Sequence, residues 1–248
     1  MGTSGRRPSG GRSALRQQAM QSKETINNSK DSNTKLDNFR KMSVEEAGNF
    51  IYNLKNPEFS AKDQNNNTSL QALTNALDLH DKPLVLRDDD FDRLQSTEAL
   101  DGYVLFRGLG YQSDDSVKNS IMYGDHTFQG KGRHGDGTYL TTRFSYADSY
   151  SGTNLKNSML TGFIDKNKAK VIEESTLRNM FARESSNVKR AFNGGGGRNS
   201  DISNYALYKG YNVIKVPNGN GNYSSNGHFY VPLHRGVIVF REHYKTTY

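Results

Sequence analysis

The sequence predicts an α+β fold in which a helical N-terminal region precedes a domain built mainly of short strands. Before residue 100, apolar residues recur at helical spacing, as in Leu70, Leu73 and Leu77. After residue 102 the pattern changes to short runs of β-branched and aromatic residues, without a regular alternation of strands and helices. The 248 residues are enough for one sizeable domain or two small ones.

In the helical region we expect three helices. The first covers Ser43–Leu54, because Ser43 is a suitable N-cap and two glutamates follow in the first turn. The second covers residues 68–77. The third begins at the three acids Asp88–Asp90, which suit either a helix N-terminus or a metal site, and the helix is favoured.

The remaining chain predicts seven strands, three helices and two glycine-rich loops. The loops are residues 110–137 and 193–199. The predicted helices are Ser145–Tyr150, Ser175–Glu184 and Asp201–Tyr208. The predicted strands are Tyr103–Arg107, Thr138–Thr142, Met159–Ile164, Ala169–Ile172, Tyr211–Val216, Phe229–Leu233 and Val237–Phe240.

Positive charge is concentrated at the N-terminus. The chain has a formal net charge of +7, and residues 1–41 hold nine basic and three acidic residues, so +6 falls there. This segment is rich in Ser, Gly, Asn and Gln, which is typical of disorder. It is either an arm that contacts nucleic acid or another polyanion, or a solvated tail. The predicted division is a basic disordered arm (1–41), a helical region (42–100) and the main domain (101–248).

Composition excludes several kinds of chemistry. The chain has no cysteine, so it forms no disulfide, zinc ribbon, iron–sulfur site or thiolate nucleophile. No run approaches the roughly 20 apolar residues of a membrane span, and the first 30 residues lack the apolar core of a secretory signal. We therefore expect a cytoplasmic protein without membrane contact.

One group of residues has the chemistry of a dinucleotide site. Arg107 at the end of a strand suits bidentate binding of phosphate, and Gly108 leaves its backbone accessible to a flat amide. The rings of Tyr139 and Tyr150 are suited to stack on the two faces of a planar ligand ring. Together they describe a site for a nicotinamide dinucleotide, although each tyrosine alone also fits a core position and Arg107 also fits an ion pair. No G-x-G-x-x-G fingerprint or Walker A loop is present.

The same stretch resembles the ADP-ribosyltransferase superfamily. Residues 135–150, with Tyr139 and Tyr150 eleven residues apart, are similar to the G-x-G-x-Y-F…S-x-x-x-x-Y signature of the diphtheria-toxin and poly(ADP-ribose) polymerase branch. Phe106-Arg107-Gly108 resembles the first-strand arginine of the R-S-E branch, and Thr141-Thr142 resembles its Ser-Thr-Ser motif. Residues 205–214 and 229–239 are similar to strands of phage- and toxin-associated members.

The resemblance spans residues 102–241 and implies a split, two-sheet α+β fold that holds NAD between the sheets. It implies mono-ADP-ribosyl transfer from NAD to a macromolecular acceptor, with release of nicotinamide and without a metal. The implied roles are phosphate or ribose binding by Arg107, carboxamide pairing by Gly108, a nicotinamide sandwich by Tyr139 and Tyr150, and ribose support by Thr141.

The sequence departs from the family at its late glutamate. No Asp or Glu lies between Asp201 and Glu242, and His228 occupies the expected place. Three readings stay open: a neutral His228 acts as a weak general base, another acid reaches the cleft, or the domain binds NAD or ADP-ribose without catalysis. The candidate acids are Asp148, Glu173, Asp201 and Glu242.

A second hypothesis concerns a different class of protein. The chain is then a non-enzymatic virion or nucleoprotein component whose basic arm contacts nucleic acid. Besides a cytoplasmic location, association with a virion or delivery into a host cell stays open for either hypothesis. The sequence does not identify the acceptor as protein or nucleic acid.

Overall fold

The fold is organised around one mixed β-sheet. The computed structural model describes residues 31–54, 69–109, 115–123, 134–150, 159–193, 200–217 and 227–242. Among these residues the helices are α1 Ser32–Lys41, α2 Val44–Leu54, α3 Ser69–Ala76, α4 Asp88–Glu98, α5 Asp115–Met122, α6 Phe144–Ser149, α7 Glu174–Ala182, α8 Ser186–Asn193 and α9 Ser200–Tyr208. The strands are β1 Leu84–Leu86, β2 Leu105–Gly108, β3 Leu140–Thr141, β4 Met159–Ile164, β5 Val171–Glu173, β6 Val213–Val216, β7 Phe229–Pro232 and β8 Ile238–Arg241.

The strand order brings distant segments of sequence together. Across the sheet the order is β1-β8-β4-β2-β3-β7-β6-β5. β1 pairs with β8 and β5 pairs with β6 in parallel, and the other pairs are antiparallel. The mixed α and β content is as predicted, but the described residues form one continuous eight-stranded sheet. Strands β2, β3 and β7, which carry the predicted site residues, are direct neighbours.

Side chains alternate between two buried clusters on opposite sides of this sheet. In β7, Phe229 and Val231 pack into a cluster that includes residues of α1, α2, α3, α7, α8 and α9. Tyr230, between them, packs into a second cluster with Leu140 and Leu105. This is the period-two pattern of a strand that is covered on both sides.

The predicted helices of the N-terminal region are present. Ser43 caps α2 in a capping box: its hydroxyl accepts from the Glu46 backbone N–H at 3.3 Å, and its own N–H donates to the Glu46 carboxylate at 2.9 Å. Helix α4 begins at Asp88, so the acidic run is a helix N-terminus. None of the helices described in the structure is long and apolar enough to span a bilayer.

Other elements differ from the sequence-based expectation. Helix α1 lies in the segment predicted as a disordered arm, and its Phe39 is fully buried against the ring of Tyr208 at 5.8 Å. Residues 1–30 of that segment lie outside the described residues. Helix α5 lies in the predicted loop 110–137, and β1 was not predicted, because its pairing with β8 joins segments more than 150 residues apart.

His234 makes the stability of the fold depend on pH. Its Nδ1 is buried without a hydrogen-bond partner among the described residues. Burial lowers the pKa of His234 below its ordinary value; Asp81 opposes this effect, whereas Arg40 and Lys168 add to it. The folded state therefore keeps His234 neutral at a pH where the unfolded chain already binds a proton.

We expect the contribution of His234 to the free energy of unfolding to be constant above pH about 6.5. Below that pH the free energy of unfolding should fall by up to about 1.4 kcal/mol per pH unit, because the unfolded chain binds the proton first. In His234→Gln this slope should become shallower. Urea denaturation between pH about 7.5 and 5 measures it. His80→Gln is the control, since the His80 side chain is 49% exposed, and an equal change of slope in both variants would contradict the assignment.

Candidate functional site

The pairing of β2, β3 and β7 decides which site residues share a side of the sheet. Thr141 pairs with Phe106 of β2 and with Phe229 of β7. Directly paired residues project to the same side, so these three lie together on what we call the tyrosine face. Tyr139, two residues before Thr141, packs against the same buried cluster as Phe229 and belongs to this face.

The opposite side, which we call the arginine face, carries Arg107, Thr142 and His228. Each is one residue away from a member of the paired set, so its side chain alternates to the other side. The backbone N–H of Thr142 donates to the His228 carbonyl at 3.1 Å, and the His228 N–H donates to the Thr142 hydroxyl at 2.9 Å. Arg107 and His228 lie on the two strands that flank β3, about 10 Å apart across the strands and offset by two residues along them. The sheet thus places Arg107 and His228 on one side and Tyr139 on the other.

Arg107 is a cation with almost no partner. Its Nε is buried and has no hydrogen-bond partner among the described residues, and its Nη1 makes only a long contact of 3.5 Å with the Tyr139 carbonyl. Burial lowers the pKa of Arg107 to about 10, and no described carboxylate offsets this effect. The ion-pair alternative therefore finds no acid in the described part of the chain. A desolvated guanidinium of this kind is suited to an anionic ligand.

His228 has an aromatic neighbour and one open hydrogen-bonding position. The ring of Tyr103 lies 5.6 Å from the imidazole at an interplanar angle of 44°, and Tyr103 is 38% exposed. The Nδ1 atom of His228 is buried without a partner in the described residues. The arginine face therefore has two orphan polar atoms, one on each side of β3. Buried polar groups without partners are uncommon and indicate a missing ligand or water.

Asp101 is the carboxylate of this face. It accepts hydrogen bonds from the Lys215 ammonium at 2.8 Å and from the Tyr230 hydroxyl. Burial by itself raises the pKa of Asp101, but the hydrogen bonds from Lys215 and Tyr230 and the charge of Lys215 outweigh it, so that this pKa lies below its ordinary value. Asp101 has a φ of +54°, a strained conformation for a residue other than glycine. Sequence reasoning missed Asp101 and Tyr103; the Asp101-Gly102 turn was the available signal.

On the tyrosine face, Tyr139 is held by its own loop. Its hydroxyl donates to the Gly135 carbonyl at 2.6 Å and accepts from the His134 N–H at 2.9 Å. Burial raises the pKa of Tyr139, so its phenol stays neutral. The Tyr139 hydroxyl thus holds the loop that leads into β3, and part of the Tyr139 ring packs against the buried cluster.

Tyr150 is open to solvent, with 55% of the residue exposed. Its hydroxyl lies 3.1 Å from that of Tyr146, and the two ring centroids are 5.3 Å apart. Tyr146 contacts Phe229 edge-on at 4.9 Å, and Phe229 stacks on His134 at 6.0 Å. These rings form a row along the tyrosine face. The sandwich of Tyr139 and Tyr150 around a nicotinamide stays a prediction.

A buried hydrogen-bonded group ends this row. His134 Nδ1 lies 2.8 Å from the Glu174 carboxylate, which also accepts from Arg178 at 2.7 Å. Burial by itself raises the pKa of Glu174, but the hydrogen bonds from His134 and Arg178 outweigh it and hold this pKa below its ordinary value. Glu174 thus serves the packing of the loop before β3.

For the four candidate acids named from the sequence, the structure gives these positions. Glu173 is exposed at the end of β5. Glu242 lies 3.6 Å from the Arg87 guanidinium. Asp148 lies in α6, and the side chain of Asp201 is outside the described residues. Within the described ranges no three His, Asp or Glu residues are grouped as metal ligands.

Comparisons of the chain with protein-family models, with curated proteins and with solved structures found no match. The argument for function therefore depends on the residues themselves.

The absence of a described counter-ion at Arg107 predicts an unusual mutation. Arg107→Met should leave the free energy of unfolding unchanged or raise it by up to about 2 kcal/mol, because it removes a desolvated charge. Arg235→Met is the matched control: this buried arginine donates to the Ile121 carbonyl at 2.8 Å, so its loss should cost about 1–3 kcal/mol. Urea denaturation measures both. Equal destabilisation would show that Arg107 is a structural residue.

Proposed function

We propose that this chain is a mono-ADP-ribosyltransferase that binds NAD across the arginine face and transfers its ADP-ribose to a macromolecular acceptor. The observation that supports this most is the pair of orphan atoms, Arg107 Nε and His228 Nδ1, on strands that flank β3. Three segments that resemble the family's motifs also form adjacent strands. In this proposal the sheet is the counterpart of the family's split α+β sheets.

Each group of the arginine face has a task in the proposal. Arg107 binds the diphosphate, because its guanidinium is the desolvated cation of this face. Gly108 offers its backbone beside it. Thr142, hydrogen-bonded to the His228 backbone at 2.9 Å, takes the place that the sequence assigned to Thr141 and supports the ribose.

The reaction needs little covalent chemistry from the protein. The bond between ribose C1′ and the nicotinamide nitrogen breaks, and its electron pair leaves with neutral nicotinamide. The acceptor nucleophile bonds to C1′, and its proton passes to the neutral imidazole of His228. The protein contributes the orientation of the dinucleotide and the exclusion of water.

Two aromatic positions compete for the nicotinamide. Tyr103 lies beside His228 on the arginine face, whereas Tyr139 and Tyr150 belong to the other side. The geometry favours Tyr103, because the nicotinamide ring of an NAD bound on the arginine face can stack on Tyr103, whereas Tyr139 and Tyr150 lie across the sheet from it.

The alternative is a domain that binds NAD or ADP-ribose without turnover. It is favoured by His228 in the position of the family's glutamate, because a neutral imidazole stabilises a cationic transition state less than a carboxylate does. A nucleoprotein component with this binding site is the non-enzymatic form of the proposal.

Neighbouring threonines provide a matched test. We expect Thr142→Val to lower kcat/KM for nicotinamide release from NAD by roughly 10–100-fold and His228→Gln by roughly 100-fold or more. Thr141→Val should have little effect, because that hydroxyl accepts from the Arg143 N–H at 3.1 Å on the other side of the sheet. Nicotinamide release is followed with labelled NAD. Loss of activity in Thr141→Val alone would reverse the assignment.

A second pair of variants locates the nicotinamide ring. Tyr103→Ala should weaken NAD binding by about 1–3 kcal/mol, the usual effect of a lost stacking partner. Calorimetry with NAD measures this effect. If Tyr150→Ala weakens NAD binding instead, the sandwich of Tyr139 and Tyr150 is correct; if neither variant does so, neither aromatic placement holds.

A further inference from the structure

The two carboxylate oxygens of Asp101 have different surroundings. Oδ2 accepts hydrogen bonds from the Lys215 ammonium at 2.8 Å and from the Tyr230 hydroxyl, and the ion pair with Lys215 uses the same oxygen. Oδ1 therefore has no partner among the described residues, and 37% of the Asp101 side chain is exposed. The two donors hold the carboxylate through one oxygen, so that the other is available to accept a hydrogen bond from a ligand.

The backbone at this turn gives a second reason to assign a task to Asp101. Its φ of +54° is followed by a φ of +72° at Gly102, so two consecutive residues are left-handed. Glycine adopts this conformation without the strain that a side chain brings. An aspartate retained in a strained conformation points to a function of its carboxylate.

The register of the sheet places this carboxylate at one end of a row that begins at Arg107. The pairing of β2 with β3 sets Arg107 beside Leu140. Leu140 pairs with Tyr230, and Tyr230 pairs with Lys215, so all four project to the arginine face. Arg107 and Tyr230 are two strand spacings apart, about 10 Å, and Asp101 is bound at the Tyr230 end.

The chemistry of the two ends of this row defines a ligand. Arg107 has no described carboxylate partner, and its guanidinium only donates hydrogen bonds, whereas the ionised carboxylate of Asp101 only accepts them. A ligand that binds both must present an anion at one point and a hydroxyl donor at another, as a sugar phosphate does. The same turn also delivers an aromatic ring, since Tyr103 lies 5.6 Å from the imidazole of His228.

We propose that Asp101 Oδ1 accepts a hydrogen bond from a hydroxyl of the nicotinamide ribose, so that the site selects a ribose over a deoxyribose. This inference rests on the proposed function and specifies how that site recognises the sugar. The nicotinamide ribose is the one concerned, because the nicotinamide itself is assigned to Tyr103, two residues after Asp101. The contact is a binding contact, so it holds whether or not the bound NAD is cleaved.

Calorimetry with the full chain tests this contact, using NAD and two analogues that each lack one hydroxyl of the nicotinamide ribose. The unmodified chain should bind at least one analogue roughly tenfold or more weakly than NAD, the usual loss for a hydrogen bond to a charged group. Asp101→Gly should bind NAD weakly by a similar factor and lose its preference for NAD over that analogue. Asp101→Asn, which keeps an acceptor oxygen without the charge, should retain part of the preference.

Asp78→Gly is the matched control. Asp78 has a φ of +53° and forms an ion pair with Lys35, so it shares the left-handed backbone and the lysine partner of Asp101. Glycine relieves the backbone strain at both positions, and melting curves should show both variants folded. Asp78→Gly should keep the affinity for NAD and the preference over the analogue.

The outcomes separate this inference from the proposed function. Equal binding of NAD and both analogues by the unmodified chain, or an unchanged preference in Asp101→Gly, would overturn the inference, while release of nicotinamide from NAD would still support the proposed function. If Asp101→Gly lowers the affinity for NAD and for both analogues by one common factor, the carboxylate only anchors Lys215 and the inference is wrong. If the unmodified chain does not bind NAD, the proposed function fails and the inference fails with it.

Discussion

The proposed site depends on one guanidinium, that of Arg107, whose Nε is buried without a hydrogen-bond partner among the described residues. Arg107 lies on β2, in the middle of the sheet, and burial lowers its pKa to about 10 with no described carboxylate to compensate. A charge in such a position costs folding free energy. An anionic ligand would offset this cost, and in the proposed function the diphosphate of NAD is that anion.

The alternation of the pleat gives the two sides of the same three strands different tasks. The tyrosine face turns toward the helices, and the bonds of the Tyr139 phenol to its own loop make that residue part of the scaffold. Tyr139 thereby anchors the loop that precedes β3. Thr142, three residues later, accepts the hydrogen bond from the His228 N–H on the arginine face.

Local signals explain what the sequence predicted and what it could not. Helical spacing and caps are local, so α2, α3 and α4 were predictable, as were the runs that became β2, β4 and β7. The sequence could not predict that Thr142, and not Thr141, contacts His228. Strand β3 has only two residues, and a shift of one residue would exchange the sides to which the two threonines project. Tyr103 contacts His228, and Asp101 contacts Lys215 and Tyr230, across more than 110 residues of sequence, which no local pattern records.

The balance of charge on the arginine face bears on the missing glutamate. Arg107 and Lys215 are positive there, and Asp101, paired with Lys215 at 2.8 Å, is a described carboxylate of the same side. A ribose that develops positive charge would be destabilised in such surroundings. In the proposed function the diphosphate of NAD offsets Arg107. His228 in the place of the family's glutamate adds no negative charge near the ribose, and this favours the alternative of binding without catalysis.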